Sequence, residues 1–574
     1  MYVTLNKVDR KKILFLSAFA VLCGICLFAD GLPLNDSNTR SKWFGMLFLV
    51  FAWGILSPFL AHERTIKVRS ADIAFVTLFI YVSFRSLPRG NAELGLQLAA
   101  ILFLYVFFRR AERSYLKGIF FVVGMMTAVL SLWGLGQWLH ILPAGKSSFP
   151  VVGNFDNPAG LASALAAGIP FIVYFCQAKE RTFRFISYFT AAIAVLAIVV
   201  SESRAGMLAV GCCLLCAGIK RIGRRGEKTK IALSIGVFIA VAVALYFLKR
   251  ESADGRILIW LVTLRLFVRF PLFGGGTCAF AAHYMPEQAR YFSLHPDSRF
   301  AMLADNVNHP FNEYISILVQ WGLVGLLLAG ALLYILIRAW QKNQNKETDA
   351  LLMSLFSLGI FGFFSYPLSY AFGWVVLTLC LAFLACHTDV VAERNFTSPS
   401  RVLQASASAV LLALSVWQYQ AYTEWFRIIH HRPTVPMSDL QQRYEKLRPA
   451  MTRQPLFLYN YAAELYFHEW YPEALEVAEQ SRLLRDDYET EHLLADIYKG
   501  MKRNKEAKDA YKTMSQMCPN RFIPVYRLFE MAVEENSTIL AQHFAKEIIK
   551  KPIKVSSPQV EYMKKRCLLF SKEK

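Results

Sequence analysis

The chain has 574 residues, 55% of them hydrophobic and 18% charged, with a formal net charge of +21. These proportions exclude an ordinary soluble globular protein, in which about a quarter of the residues are charged. The positive charge invites a nucleic-acid reading, but it lies between long apolar runs, and no nucleic-acid partner is expected.

A helix needs about 20 mostly apolar residues to cross the hydrocarbon core. Thirteen such runs occur, near residues 13–29, 43–61, 71–84, 94–108, 118–142, 158–176, 185–200, 205–219, 231–248, 314–337, 350–368, 372–388 and 403–421. The first follows NKVDRKK without a small-residue cleavage site, so it reads as a span and not as a removable leader. With Lys7, Arg10, Lys11 and Lys12 placed in the cytoplasm and sides alternated, cytoplasmic segments hold 25 Lys and Arg. The short loops opposite hold six. Such an asymmetry sets the orientation of helical membrane proteins, and KRIGRRGEKTK at 220–230 reads as an orienting anchor. An odd number of spans then puts the loop 249–313, and everything after residue 421, outside the cytoplasm. The expected fold class is all-α: a polytopic membrane domain over residues 1–425, then a soluble helical-repeat domain over 435–570.

Most of the eleven cysteines fall in spans. The pairs Cys23/Cys26 and Cys213/Cys216 have CxxC spacing, but inside apolar helices they read as small fillers. Cys278, Cys518 and Cys567 lie outside and make no even disulfide framework. A phosphate-binding loop is absent, since HILPAGKSS has His140 where the first glycine belongs. No zinc-ligand spacing occurs, and no D-x-D for a metal-bound nucleotide sugar. Neither metal nor cofactor is expected.

Four polar clusters share the outer face. GNFDNPAG (153–160) opens the sixth span, where Asn154, Asp156 and Asn157 either line a substrate entrance or cap the helix. SESRAG (201–206) is a short turn that holds Arg204 near the membrane. Charge at that depth is costly and often functional, although an arginine there also snorkels to headgroups. DGRILIW (254–260) leads into ILIWLVTLRLFVRFPLFGGG, too charged for a span. Arg265 and Arg269 lie four apart on one face of what reads as an interfacial helix. Arg269 reads as a headgroup anchor and the glycines as a hinge, while Arg265 is kept as a candidate substrate contact. His283 and His295 read as solvated. DNVNHPFNEY (305–314) closes the loop: Asn308 or Asp305 is expected to cap the tenth span, with Pro310 in its first turn. That start would hold His309 rigidly at the surface, with Asp305 a candidate to orient it.

After Tyr422 the composition turns charged and helical. Ala474 aligns with Ala507, Ala462 with Ala495 and Ala478 with Tyr511 at a period of 33 residues, and a poorer third copy aligns Ala507 with Ala541 at 34. Small residues recurring in helix pairs resemble tetratricopeptide repeats; a plain helical hairpin bundle is the alternative. Repeats of this kind present a concave surface, so the tail is a candidate holder of a protein partner or acceptor.

The ordered strings GNFDNPAGLA, SESRAG, GRILIW…FPLFGGGTCAF and NHPFNEYISILVQWGLVG resemble the O-antigen ligase family, over roughly residues 120–390. That family includes O-antigen ligases, O-antigen polymerase relatives and protein O-oligosaccharyltransferases. The resemblance implies a glycan donor on polyprenyl pyrophosphate and an acceptor hydroxyl, on lipid A core, a protein or a growing glycan. It implies a site at the outer face of the bacterial inner membrane. It also implies catalytic roles for Arg204, for Arg256 with Trp260 beside it, and for His309 followed by Asn312. The family often has a second histidine where this chain reads NHPF, so a mechanism needing two imidazoles is not implied here. Two arginines fit such chemistry, because their planar forks bind phosphate oxygens bidentately and keep their charge. Histidine suits the proton transfer from a hydroxyl. A transporter of the same lipids would need polar residues spread through its spans, and a scaffold would not need thirteen of them.

Overall fold

The structure is a computed structural model that describes residues 7–30, 38–60, 65–145, 147–221, 250–395, 397–430 and 436–573, with isolated positions between 236 and 247. The expected ninth span, 231–248, and all but the first two residues of the basic run 220–230 lie outside the described continuous segments.

Among the described residues, nine helices are long and apolar enough to cross a membrane. The other three described candidates are the Ser70–Ser86, Arg204–Arg221 and Ala371–Ala385 helices. The chain is an all-α, multi-pass membrane protein. The strands among the described residues form one two-stranded antiparallel ribbon, Thr65–Arg69 with Val390–Asn395. Large apolar side chains such as Phe84, Phe185, Leu327 and Leu403 are exposed on the outer surface of the bundle, where lipid replaces water as solvent.

Polar contacts gather at the two ends. At one end lie the ribbon, an Arg109–Asp72 ion pair of 2.7 Å, and an Arg113 guanidinium donating to the Cys386 carbonyl at 2.7 Å. At the other, Trp43 donates to the Ser369 carbonyl at 3.0 Å and the Asn154 amide to the Phe28 carbonyl at 3.0 Å. There too, Arg85 and Arg89 reach the carbonyls of Phe273 and Gly275 at 3.0 and 2.7 Å. The loops assigned by alternation to one side therefore meet at one end.

The helix expected at the interface runs Arg250–Arg269, with Ile257, Leu261, Leu264 and Val268 forming an exposed apolar stripe. After it, FPLFGGG is not the simple hinge that its glycines suggested. It docks edge-on against a break at Gly322 in the Glu313–Lys342 helix. The two segments exchange main-chain hydrogen bonds: Gly275 and Gly276 donate to the Val319 and Gln320 carbonyls at 2.8 and 2.9 Å. In return, Leu323 and Val324 donate to those of Pro271 and Leu272 at 2.9 and 3.0 Å. The Trp321 carbonyl, also freed, accepts from the Tyr81 hydroxyl at 2.6 Å. A broken helix is tolerated near a membrane only when its freed polar groups find partners, and here they do. Such closeness requires glycine. A Cβ on Gly322, whose φ is +68°, would sit 2.3 Å from the Leu272 carbonyl oxygen, and one on Gly274 would sit 2.4 Å from Gln320 main chain.

The tail is a series of paired helices, Pro455–Phe467 with Tyr471–Leu484, Tyr488–Gly500 with Asn504–Met517, and Ile523–Glu534 with Thr538–Lys550. The aligned residues Ala462, Ala474, Ala478, Ala495, Ala507 and Tyr511 are fully buried. The tail also shares a core with the outer loop: Leu258, Val262, Tyr284 and Phe292 pack in one cluster with Tyr488, Tyr511, Met514 and Met517. Buried Gln288 donates to the Met517 carbonyl at 2.7 Å, and Asn520 to that of Ala304 at 2.7 Å.

Gly322→Ala should therefore destabilise the whole outer loop, since a strained left-handed residue alone costs about 1–3 kcal/mol and the Cβ clash adds to it. Thermal unfolding in detergent should fall by several degrees, whereas Gly330→Ala, whose Cβ would meet nothing within 4 Å, should leave it unchanged.

Candidate functional site

The end of the bundle that carries the Arg250–Arg269 helix collects side chains from six places in the chain. Arg204 is the first residue of the Arg204–Arg221 helix, after a turn in which Glu202 takes a left-handed φ of 55°. Its guanidinium donates to the Ser252 hydroxyl at 2.7 Å. Arg256 lies nearly two turns inside the Arg250–Arg269 helix, half-buried, and donates to the Phe364 carbonyl at 2.8 Å. That carbonyl ends the Lys346–Phe364 helix, where the helix dipole presents partial negative charge. The Phe311 ring centre lies 5.5 Å from the same guanidinium, within cation–π range.

His309 stacks on Tyr366, with ring centres 4.6 Å apart and planes inclined by 20°, and Phe311 closes on the same Tyr366 edge-on at 5.4 Å. Tyr366 is partnered in turn by Tyr370, whose hydroxyl donates to Asp156 at 3.2 Å. Trp260 donates its indole N–H to the Pro310 carbonyl at 3.0 Å, which ties the interfacial helix to the histidine segment. From the tail, Arg485 donates to the Asn308 side chain at 2.9 Å and to Asp487 at 2.6 Å.

The electrostatics follow from this crowding. Arg256 is pushed down to about 10, first by burial and then by the charge of Arg204, so the two cations sense each other while both stay protonated near neutrality. His309 remains solvent-exposed but is ringed by protein. Loss of hydration lowers its pKa below the ordinary histidine value; the Asp156 carboxylate opposes that shift and the Arg485 charge adds to it. The imidazole is thus neutral at neutral pH and able to take a proton. Burial likewise raises the phenols of Tyr366 and Tyr370, with Asp156 adding to both.

The remaining candidates are placed elsewhere. Asn312, not Asn308 or Asp305, caps the Glu313–Lys342 helix: its extended backbone lets its carboxamide accept from the Tyr314 and Ile315 N–H groups at 2.9 and 3.0 Å. Pro310 stands outside the helix, and Phe311 after it takes a left-handed φ of 52° that no first turn allows. Asp305 faces the tail, paired with Arg521 at 3.0 Å and 4.0 Å from Lys554. Arg265 turns toward His295 at 3.5 Å and lies over Tyr291, and Arg269 pairs with buried Glu287. Asn154 is buried and accepts, through its carbonyl, from the Lys42 ammonium. Asn157 caps the Pro158–Phe175 helix through the Ala159 N–H at 2.9 Å. Among the described residues no cluster of three His, Cys, Asp or Glu is arranged to hold a metal.

Tyr366, Tyr370, Phe311 and Arg485 were not singled out from the sequence. The tyrosines had a legible signal, since SYPLSY is a short aromatic loop between two apolar runs on the same side as Arg204. Arg485 had none, because nothing in the tail's own sequence says where the tail docks.

Arg204, Arg256, Phe311, Tyr366 and His309 thus form a continuous chain of neighbours: two cations, an aromatic wall and a neutral imidazole. No curated protein matches the chain. A family model described as O-antigen ligase matches residues 189–330, the segment that carries both arginines and the histidine. Over that segment the chain is similar to the O-antigen ligase family.

Proposed function

We propose that the protein transfers a glycan from polyprenyl pyrophosphate to an acceptor hydroxyl at the outer face of the bacterial inner membrane, as an O-antigen ligase does. The observation that carries this reading is the grouping of Arg204, Arg256 and His309 at one end of the bundle, inside the matched domain. The orientation follows the charge asymmetry of the loops: N-terminus in the cytoplasm, tail in the periplasm.

In this reaction the neutral His309 imidazole takes the proton of the acceptor hydroxyl as its oxygen attacks the anomeric carbon. The bond from that carbon to the pyrophosphate oxygen breaks, and its electron pair leaves with the phosphate. Arg204 and Arg256 meet the developing charge, where preorganised donors in a partly dehydrated site act with most effect. They neutralise phosphate without a metal or a nucleotide. Direct displacement inverts the anomeric centre. Tyr366 holds the imidazole plane, and Trp260 fixes the segment beneath it. Asn312 serves as the cap that starts the neighbouring span. Asp305, Arg265, Asn154 and Asn157 act as supports of the loop and helix starts.

A second acceptor class has a specific observation in its favour. The tail docks on residues 302–308 through Asn520, Arg521 and Arg485, which brings its paired helices beside the site. A polypeptide held there would present its own hydroxyl, making the enzyme a protein O-oligosaccharyltransferase with the same chemistry. A defined polyprenyl-pyrophosphate glycan, offered lipid A core and protein acceptors side by side, distinguishes the two. Product on neither acceptor, with no polyprenyl pyrophosphate released, would sink the transferase reading and favour a lipid-linked glycan transporter.

Two outcomes follow. His309→Ala should lower kcat by about 10²–10⁴-fold, the usual worth of a general base. Arg256→Lys should lower it by about 10²–10³-fold, because a lysine lacks the fork that reaches carbonyl and phosphate together. The pH profile carries its own sign. A lowered His309 pKa keeps the base form populated below the ordinary histidine range, so activity should persist there and fall only as pH drops through the depressed value. Arg485→Gln removes one of the charges that lower it. The acidic limb of kcat/KM should then move to higher pH, while Arg485→Lys should restore the wild-type profile.

A further inference from the structure

A second feature lies at the opposite end of the bundle, away from His309. A cavity of about 820 Å³ opens between the Lys7–Phe28, Asn38–Leu60 and Ala92–Arg109 helices. Its walls are apolar, with Phe15, Ala18, Trp53 and Phe107 among them, and Leu14, Val21 and Leu56 on its open side are exposed. On the first helix the lining runs from Lys11 to Leu22, about 16 Å at the rise of an α-helix. Half of the hydrocarbon core is about 15 Å, so the groove is as deep as one leaflet.

Its mouth is cationic. Lys11, Lys67, Arg69, Arg109, Arg110 and Arg113 line it, against one carboxylate, Glu112. Two of these charges are met nearby, Arg109 by Asp72 and Lys67 by Glu393 at 3.5 Å. Arg69 and Arg113 instead donate to main-chain carbonyls, of Thr388 and Cys386, which orient the guanidiniums without cancelling their charge. Loop asymmetry alone accounts for cations at this end, but not for their convergence on the mouth of an apolar groove one leaflet deep. Basic pockets between helices on the cytoplasmic side recognise anionic lipid headgroups.

We infer that this groove is a binding site for one anionic glycerophospholipid of the cytoplasmic leaflet, with an acyl chain along Ala18 and Val21 and its phosphate at Arg69 and Arg113. The glycan donor is not the occupant, because the proposed chemistry needs its pyrophosphate at the other end. That exclusion rests on the proposed reaction; the groove and its cations do not. The helices it joins pack against the 116–138 and 371–385 helices in the main core, so a bound lipid would brace the bundle that supports the outer site.

Native mass spectrometry of the delipidated full chain in detergent, titrated with phosphatidylglycerol or with phosphatidylcholine of the same acyl chains, tests it. One phosphatidylglycerol should bind at least about tenfold more tightly than phosphatidylcholine. That preference should vanish in Arg69→Gln/Arg113→Gln and survive in Arg338→Gln, a cation of the same end outside the groove. Ala18→Phe, which obstructs the groove and keeps the cations, should weaken phosphatidylglycerol binding as well. Equal binding of the two lipids would overturn the assignment, as would wild-type binding by the double variant. If the double variant does not fold, undiminished phosphatidylglycerol binding by Ala18→Phe overturns it instead.

Discussion

Arg256 is a half-buried cation with no carboxylate in ion-pair range among the described residues, and the outer end is arranged around that fact. Removing a guanidinium from water costs several kcal/mol unless something answers its charge. Here the answer comes from the terminal carbonyl of the Lys346–Phe364 helix and the face of Phe311. Neither is an anion, so the positive charge stays available to a ligand. The bond also fixes the end of one span to the interfacial helix. That helix holds Pro310 through Trp260, and with it the backbone that carries His309.

The supports beneath this arrangement are mostly main-chain ones. Four hydrogen bonds exchanged between the 271–276 segment and the break at Gly322 lock the far end of the interfacial helix to the membrane bundle. The tail locks the other side, through Gln288 and Asn520 and a shared apolar core. A loop of more than sixty residues is thereby held as part of the bundle (Arg250 to Asn312). Rigid placement matters for the proposed chemistry, since misplacing a reacting group by an ångström forfeits much of the rate.

Most of the spans and the gathering of polar clusters at one end were legible in the sequence, because apolar length is a local property that the bilayer reads directly. Arg204, Arg256 and His309 stood out because they are charged or titratable residues in strings of known order. What could not be read depends on contacts between distant segments. The cap fell to Asn312 and not to Asn308, because a left-handed Phe311 delays the helix start, and nothing local marks that turn. The glycines looked like a hinge because the partner that needs them close, Gly322, lies about fifty residues on, within an apparently unbroken apolar run. Asp305 looked like an orienting group for His309 until the tail supplied Arg521, a residue more than two hundred positions away.

The central claim is that the two arginines hold the donor's pyrophosphate within reach of His309. An experimental structure of the protein with a polyprenyl-pyrophosphate glycan bound tests it most directly. The account predicts phosphate density between the Arg204 and Arg256 guanidiniums, with the sugar's anomeric carbon facing the His309 imidazole. Pyrophosphate bound elsewhere, with Arg256 still engaged only by Phe364 and His309 remote from the sugar, would contradict it.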